Sequence, residues 1–243
     1  IGYVHGSAIL GYFQFAQRLV DETANLVQTF AIRFGLSFFA ALERAGRNPA
    51  DAFLKATRLI TAIAAPIFTG LALVMPDLIG AVFSAKWAPA IIVGQVAALG
   101  WVVGFNRVLV GPALRARSRQ VGLVLYAALA CGVAIAAALL TGGYGLPAIA
   151  VAWIMRHLVG VPWSFYAIRR YLGVPVRRQI AVVIRPLVSA VFMAAVVLSV
   201  SALLRGDTPV VRLIAEVTAG VASYCLAVIA IDRTTLRLLR ELA

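Results

Sequence analysis

The sequence predicts an all-α, polytopic transmembrane helix bundle of seven spans, and three observations carry that expectation. The chain has 243 residues, 63% of them hydrophobic, with a mean hydropathy of +0.96; a soluble domain is about half apolar. Long uncharged stretches run over 87–106, 120–155, 186–204 and 217–231, against the roughly 20 apolar residues that a helix needs to cross the hydrocarbon core. The basic residues, finally, alternate from one connection to the next.

The first helix is expected over 6–40, as one long element. Splitting it would require a turn near Asp21–Asn25, where no Gly or Pro stands at the apex. The second covers 57–76, with Pro66 at mid-span, where a proline kinks or breaks a helix. The third and fourth cover 88–112 and 121–141, and the Gly-rich segment 141–145 turns the chain into a fifth over 145–168. The sixth and seventh, 183–204 and 210–231, are joined by the short turn 205–209. This divides the chain into five spans over 1–168, a basic cytoplasmic loop at 169–182, and two further helices with a tail over 183–243.

Of the 22 basic residues, 15 fall in one set of connections: Arg44 to Arg58, Arg115 to Arg119, Arg169 to Arg185, and the tail from Arg233 to Arg240. The opposite set holds only Lys86, Arg205 and Arg212, and four more lie inside spans. Positive residues are retained on the cytoplasmic side. The N-terminal end is therefore expected outside, or periplasmic, and the C-terminus in the cytoplasm of a bacterium, with the spans in its inner membrane. The net charge of +13 reads as membrane topology and attraction to anionic lipid, not as nucleic-acid binding. The first residue is Ile and no signal peptide is evident, so the chain reads as a piece of a longer one. Cys131 and Cys225 sit in different spans and read as small core side chains.

The chemistry is expected on the first helix. Gln14, Arg18, Asp21, Asn25 and Gln28 recur at steps of 4, 3, 4 and 3, which places them on one side of an α-helix. Gln17, Glu22 and Arg33 flank them. A charged side chain at the bilayer centre costs about 2.5–3.5 kcal/mol on insertion scales, so such a stripe faces protein or water. It serves either as a hydrogen-bonded seam between helices or as the wall of a transport cavity, and the charges of Arg18, Asp21 and Glu22 favour the cavity. The planar guanidinium fork of Arg18 suits phosphate oxygens. Arg156, near the middle of the fifth helix beside His157, is the second cavity candidate. Arg107 is expected to snorkel to the cytoplasmic surface, and Glu216 to pair with Arg212 one turn away. No phosphate-binding GxxxxGK[ST] loop, HExxH or Cys/His ligand cluster occurs, so neither an enzymatic activity nor a cofactor is expected.

Four segments together are similar to the C-terminal half of polysaccharide and lipid-linked oligosaccharide exporters of the MOP superfamily, the Wzx-type flippases and the peptidoglycan-precursor flippase. They are LGYFQFAQRL from Leu10 to Leu19, APIFTGL from Ala65 to Leu71, VFSAKWAPA from Val82 to Ala90, and LRAR from Leu114 to Arg117. The chain departs from the pattern at Ser84, where the family often has Gly, and near Ala40, where it often has Pro. The resemblance implies helices 8–14 of a 14-helix protein: the second lobe plus two extra helices, with an N-terminal lobe missing. It further implies alternating access around a cationic cavity, with Arg18 meeting the pyrophosphate of a polyprenyl-linked oligosaccharide and 183–231 holding the lipid tail. Two other classes remain: a MATE-like cation-coupled antiporter, and an integral-membrane glycosyltransferase or O-antigen polymerase. The first prefers acidic cavity residues, and the second a large outer loop that this chain lacks.

Overall fold

The computed structural model describes residues 7–44, 49–116, 120–141 and 146–231. Among the described residues eight α-helices follow one another: α1 (Ser7–Arg44), α2 (Pro49–Val82), α3 (Ala90–Gly104), α4 (Val110–Ala116), α5 (Gln120–Thr141), α6 (Leu146–Leu172), α7 (Val176–Leu203) and α8 (Pro209–Ile231). Among the described residues each of the seven expected spans is mostly helical, and there is no strand. By length and apolarity alone, α2, α7 and α8 are able to cross a membrane.

The distribution of side chains is that of a protein dissolved in lipid. Val191, Phe192, Leu198, Val221 and Leu226 on α7 and α8 are exposed, while Gln179, Ser189, Ser223 and Glu216 are buried. Apolar side chains facing out lose nothing in hydrocarbon, whereas polar ones must find partners within the bundle. The same surface carries Cys131 and Cys225, both exposed, which corrects the expectation that they are core residues.

α2 is the central post, packed against α1, α3, α7 and α8. Its 34 residues, about 51 Å at 1.5 Å each, exceed a hydrocarbon core of about 30 Å. One core cluster joins α1, α2, α3 and α6 around Phe68, Met75 and Val20. A second joins α2 to the last two helices through Ala65, Met193, Val197 and Tyr224. There the helices approach closely: a Cβ on Gly220 would lie 3.2 Å from Cγ2 of Val197, the small-residue contact by which membrane helices pack.

Of the two outcomes expected at Pro66, a kink or a break, the break does not occur: α2 continues through both Pro66 and Pro76. A helical proline leaves the carbonyl four residues earlier without its donor, here Ala62 and Ala72. The hydroxyl of Tyr224 on α8 donates to the Ala62 carbonyl at 2.7 Å. Nε2 of Gln95 on α3 donates to the Ala72 carbonyl at 3.1 Å. Neighbouring helices thus replace both missing bonds, as membrane proteins require.

Four further expectations are corrected. The third span is not one helix: after α3 a 3₁₀ turn, Phe105–Arg107, precedes α4. Pro112 cannot donate to Val108, and it stands in the first turn of α4, which starts at Val110, where the missing N–H costs least. Arg107 does not snorkel outward: its guanidinium hydrogen-bonds the Tyr126 hydroxyl on α5, and its Nε donates to the Gly104 carbonyl at 3.3 Å. Most of the stretch 169–182 is helical, with α6 and α7 separated only by residues 173–175. Gly173 ends α6 in a left-handed conformation, φ 71°, which glycine adopts without steric cost. Gln179 then clamps the turn by donating to the Val174 carbonyl at 2.9 Å. Finally, Arg212 forms its ion pair with Asp77 on α2, tying α8 to the central post.

Candidate functional site

The first helix is unbroken over 38 residues, as the absence of a turn signal near Asp21 predicts. Phe13, Ala16, Val20 and Ala24 are buried against α2 and α3, at steps of 3, 4 and 4. Small residues at this spacing let the helix axes come close. The predicted polar stripe is rotated away from that packing face. Gln14, Arg18 and Asn25 are exposed, with Glu22 beside them, while Asp21 and Gln28 are half-buried at the boundary.

The structure therefore keeps five of the six predicted site residues on one side of one helix. It does not bury them in a seam: the side chains described along Gln14, Arg18 and Asn25 face away from the bundle core. The sixth, Arg156, belongs to α6 together with His157, and both side chains, like that of Arg33, lie outside the described residues.

Asp21 is the member of the stripe that is fixed in place. Nε1 of Trp101, on α3, donates to Oδ1 of Asp21 at 3.2 Å. Trp101 is in turn held by Phe68 and Phe105, at ring-centroid distances of 6.0 and 5.7 Å. Indole has one N–H to place when half-buried, and a carboxylate oxygen is a strong acceptor for it. A second aromatic group sits one end further along. The Phe15 ring lies 4.9 Å from Phe83 and 4.1 Å from Trp87, and Tyr12 is 5.9 Å from Trp87. These contacts anchor the start of the striped helix to the connection after α2.

Sequence reasoning missed Trp101 as a partner of the stripe. Periodicity identifies residues on one helix face and carries no information about what a different helix presents to it. The available signal was weak: an isolated Trp inside an apolar run needs a hydrogen-bond acceptor somewhere.

Chemically, the stripe offers one guanidinium, two carboxylates and three carboxamides along several turns. It provides donors and acceptors for a polar ligand, with Arg18 as the planar cationic donor. Among the described residues no group of three or more His, Cys, Asp or Glu is placed to hold a metal ion.

Comparison with known proteins agrees with the motif reading. The family model described as polysaccharide biosynthesis protein matches residues 1–92, the part that holds α1, α2 and three of the four similar segments. The chain is also similar to the teichuronic acid biosynthesis protein TuaB of Bacillus subtilis (strain 168), at 29% identity over 161 residues. That match covers 63% of this chain and 32% of the relative, so the chain spans about a third of the length of the curated protein it matches. Over its striped first helix and its central post, the chain is similar to the family model of the polysaccharide biosynthesis proteins.

Proposed function

We propose that this chain supplies the second lobe and two extra helices of a flippase that moves a polyprenyl-pyrophosphate-linked oligosaccharide across the bacterial inner membrane. The product serves lipopolysaccharide or exopolysaccharide synthesis. The observation that carries this reading is the exposed position of Arg18, Gln14 and Asn25 on a helix whose opposite face is buried. Polar and charged groups on a membrane helix need water, protein or ligand opposite them. The relationship to polysaccharide biosynthesis proteins supports a saccharide-bearing ligand.

In this reading the remaining lobe of the same protein closes the cavity over α1. Arg18 binds the pyrophosphate, the carboxamides of Gln14, Asn25 and Gln28 bind sugar hydroxyls, and Arg156 contributes from α6. Membrane lipids surround α7 and α8. Alternating access moves the ligand from the cytoplasmic to the outer leaflet, with the connection after α2 on the outer side.

The test is glycan export by the full-length protein. Arg18→Ala is expected to abolish surface glycan while leaving membrane insertion intact. Near-normal surface glycan in that variant would remove Arg18 from the ligand site.

A further inference from the structure

Away from the polar stripe, a crevice of about 210 Å³ opens between α2, α3, α6 and α7. Its walls include Thr61 on α2, Val103 on α3, Phe165 on α6, and Ile180, Ile184 and Leu187 on α7. Thr61 is the one polar residue in the lining, and its hydroxyl already donates to the Thr57 carbonyl at 2.8 Å. Water needs several polar partners to stay in a cavity, and this one offers a single hydroxyl. Val103, Ile180 and Ile184 are also exposed, so the crevice opens onto the surface of the bundle. Two of its walls, α2 and α7, are long and apolar enough to cross a membrane. Hydrocarbon is therefore what fills it in a bilayer.

The mouth of the crevice is cationic. α6 and α7 join at residues 173–175, and at that end each helix carries an arginine in line with its crevice residues. Arg169 stands four residues after Phe165, and Arg177 stands three before Ile180 and seven before Ile184. Those spacings keep them on the crevice side of their helices, about one turn beyond the apolar wall. Both are exposed, and neither has an ion-pair partner among the described residues. Arg170 and Arg178, exposed as well, fall on the opposite faces. Residues 146–203, which form both helices, contain six arginines and no Asp or Glu, so neither helix supplies a carboxylate to these guanidiniums.

We propose that the crevice binds an acyl chain of an anionic phospholipid, whose headgroup phosphate is held by Arg169 and Arg177 at the end where α6 and α7 join. The planar fork of arginine suits phosphate oxygens. Two cations with no carboxylate beside them favour a headgroup of net negative charge over a zwitterionic one, which brings its own ammonium. Bound there, the lipid occupies the space between α7 and the wall of α3 and α6 and becomes a packing element of the bundle. The site needs no ligand on α1 and does not rest on the flippase reading.

The experiment is native mass spectrometry of the full-length protein, delipidated in detergent and titrated with phosphatidylglycerol or with phosphatidylcholine of the same acyl chains. Phosphatidylglycerol is expected to bind the wild type more tightly; equal binding of the two lipids would overturn the proposal. The double variant Arg169→Gln/Arg177→Gln is expected to weaken phosphatidylglycerol binding at least about tenfold, as the loss of charge-assisted hydrogen bonds does. Arg170→Gln/Arg178→Gln removes the same charge from the opposite faces and should bind as the wild type does. An equal loss in both double variants would mean diffuse attraction to basic loops and no site. Leu187→Trp keeps every arginine and fills the crevice, so it should also lose the lipid; undiminished binding would overturn the proposal. Displacement of phosphatidylglycerol by a polyprenyl phosphate would do the same, assigning the crevice to that chain. Arg18→Ala is expected to stop export and leave lipid binding in place, so failure of either reading is separable from failure of the other.

Discussion

The Tyr224 hydroxyl on α8 donates to the Ala62 carbonyl on α2 at 2.7 Å, and Ala62 is the residue that Pro66 deprives of its helical donor. The bond spans 162 positions of sequence. It repairs the helix that all the neighbouring elements lean on, because an unpartnered carbonyl inside a bilayer has no water to turn to. Tyr224→Phe is expected to destabilise the protein by about 1–3 kcal/mol, the cost of leaving a buried acceptor unsatisfied. In a Pro66→Ala background, where residue 66 regains its N–H, most of that loss should disappear. Thermal unfolding of the four proteins of this double-mutant cycle measures the coupling, and additive losses would break the link.

Pro76 on α2 and Gln95 on α3 form the matching pair. Gln95→Leu removes the donor to the Ala72 carbonyl and is expected to cost about 1–3 kcal/mol. Pro76→Ala should recover most of it by restoring the helical bond. An equal loss in both backgrounds would mean that Gln95 acts by packing alone.

Gly160 makes room for Arg107. A Cβ at position 160 would collide with the Arg107 guanidinium and the Tyr126 hydroxyl, the two groups hydrogen-bonded across α5 and the turn after α3. Overpacking of this kind costs about 1–3 kcal/mol, so Gly160→Ala should lower the melting temperature. Adding Arg107→Ala to Gly160→Ala should cost less than Arg107→Ala costs alone. Full additivity would place the clash elsewhere.

Asp21 allows charge to be separated from hydrogen bonding. Asp21→Asn keeps an acceptor for Trp101 Nε1 and is expected to leave stability within about 0.5 kcal/mol of wild type. Trp101→Phe deletes the donor and should destabilise by about 1 kcal/mol. An export defect in Asp21→Asn at unchanged stability would show that the stripe needs the negative charge. Normal export would restrict Asp21 to holding α1 against α3.

Arg18→Lys refines the test of the ligand site. Lys keeps the charge and loses the planar fork, so partial export is expected in the full-length protein, between wild type and Arg18→Ala. Equal export by Arg18→Lys and wild type would reduce the role of Arg18 to charge alone.

The helices themselves were legible in the chain. Membrane helices follow from hydropathy summed over about 20 consecutive residues, a local quantity, so α1, α2 and α5 to α8 fall where the pattern puts them. The stripe was legible for a related reason: Gln14, Arg18, Asp21, Asn25 and Gln28 share one face because of helical geometry, whatever lies opposite. The interruption between α3 and α4 was harder to see, since Phe105 to Leu109 are apolar except for Asn106 and Arg107 and the breaking signal is the single Pro112. Arg107 and Arg212 were each assigned to the nearest surface or the nearest acid in sequence, and each found its partner on another helix.

By itself the sequence determined the order of the helical segments and the polar face of α1. Of Pro66 it said only that the second span would kink or break there. Only the tertiary structure decided that Tyr224 and Gln95 donate to the carbonyls that Pro66 and Pro76 leave open, that Trp101 holds Asp21, and that Arg212 pairs with Asp77 on α2. The division has a physical cause. Entry into a bilayer is decided segment by segment through free energies of transfer, whereas a buried hydrogen bond or charge is satisfied only by whichever helix packs beside it.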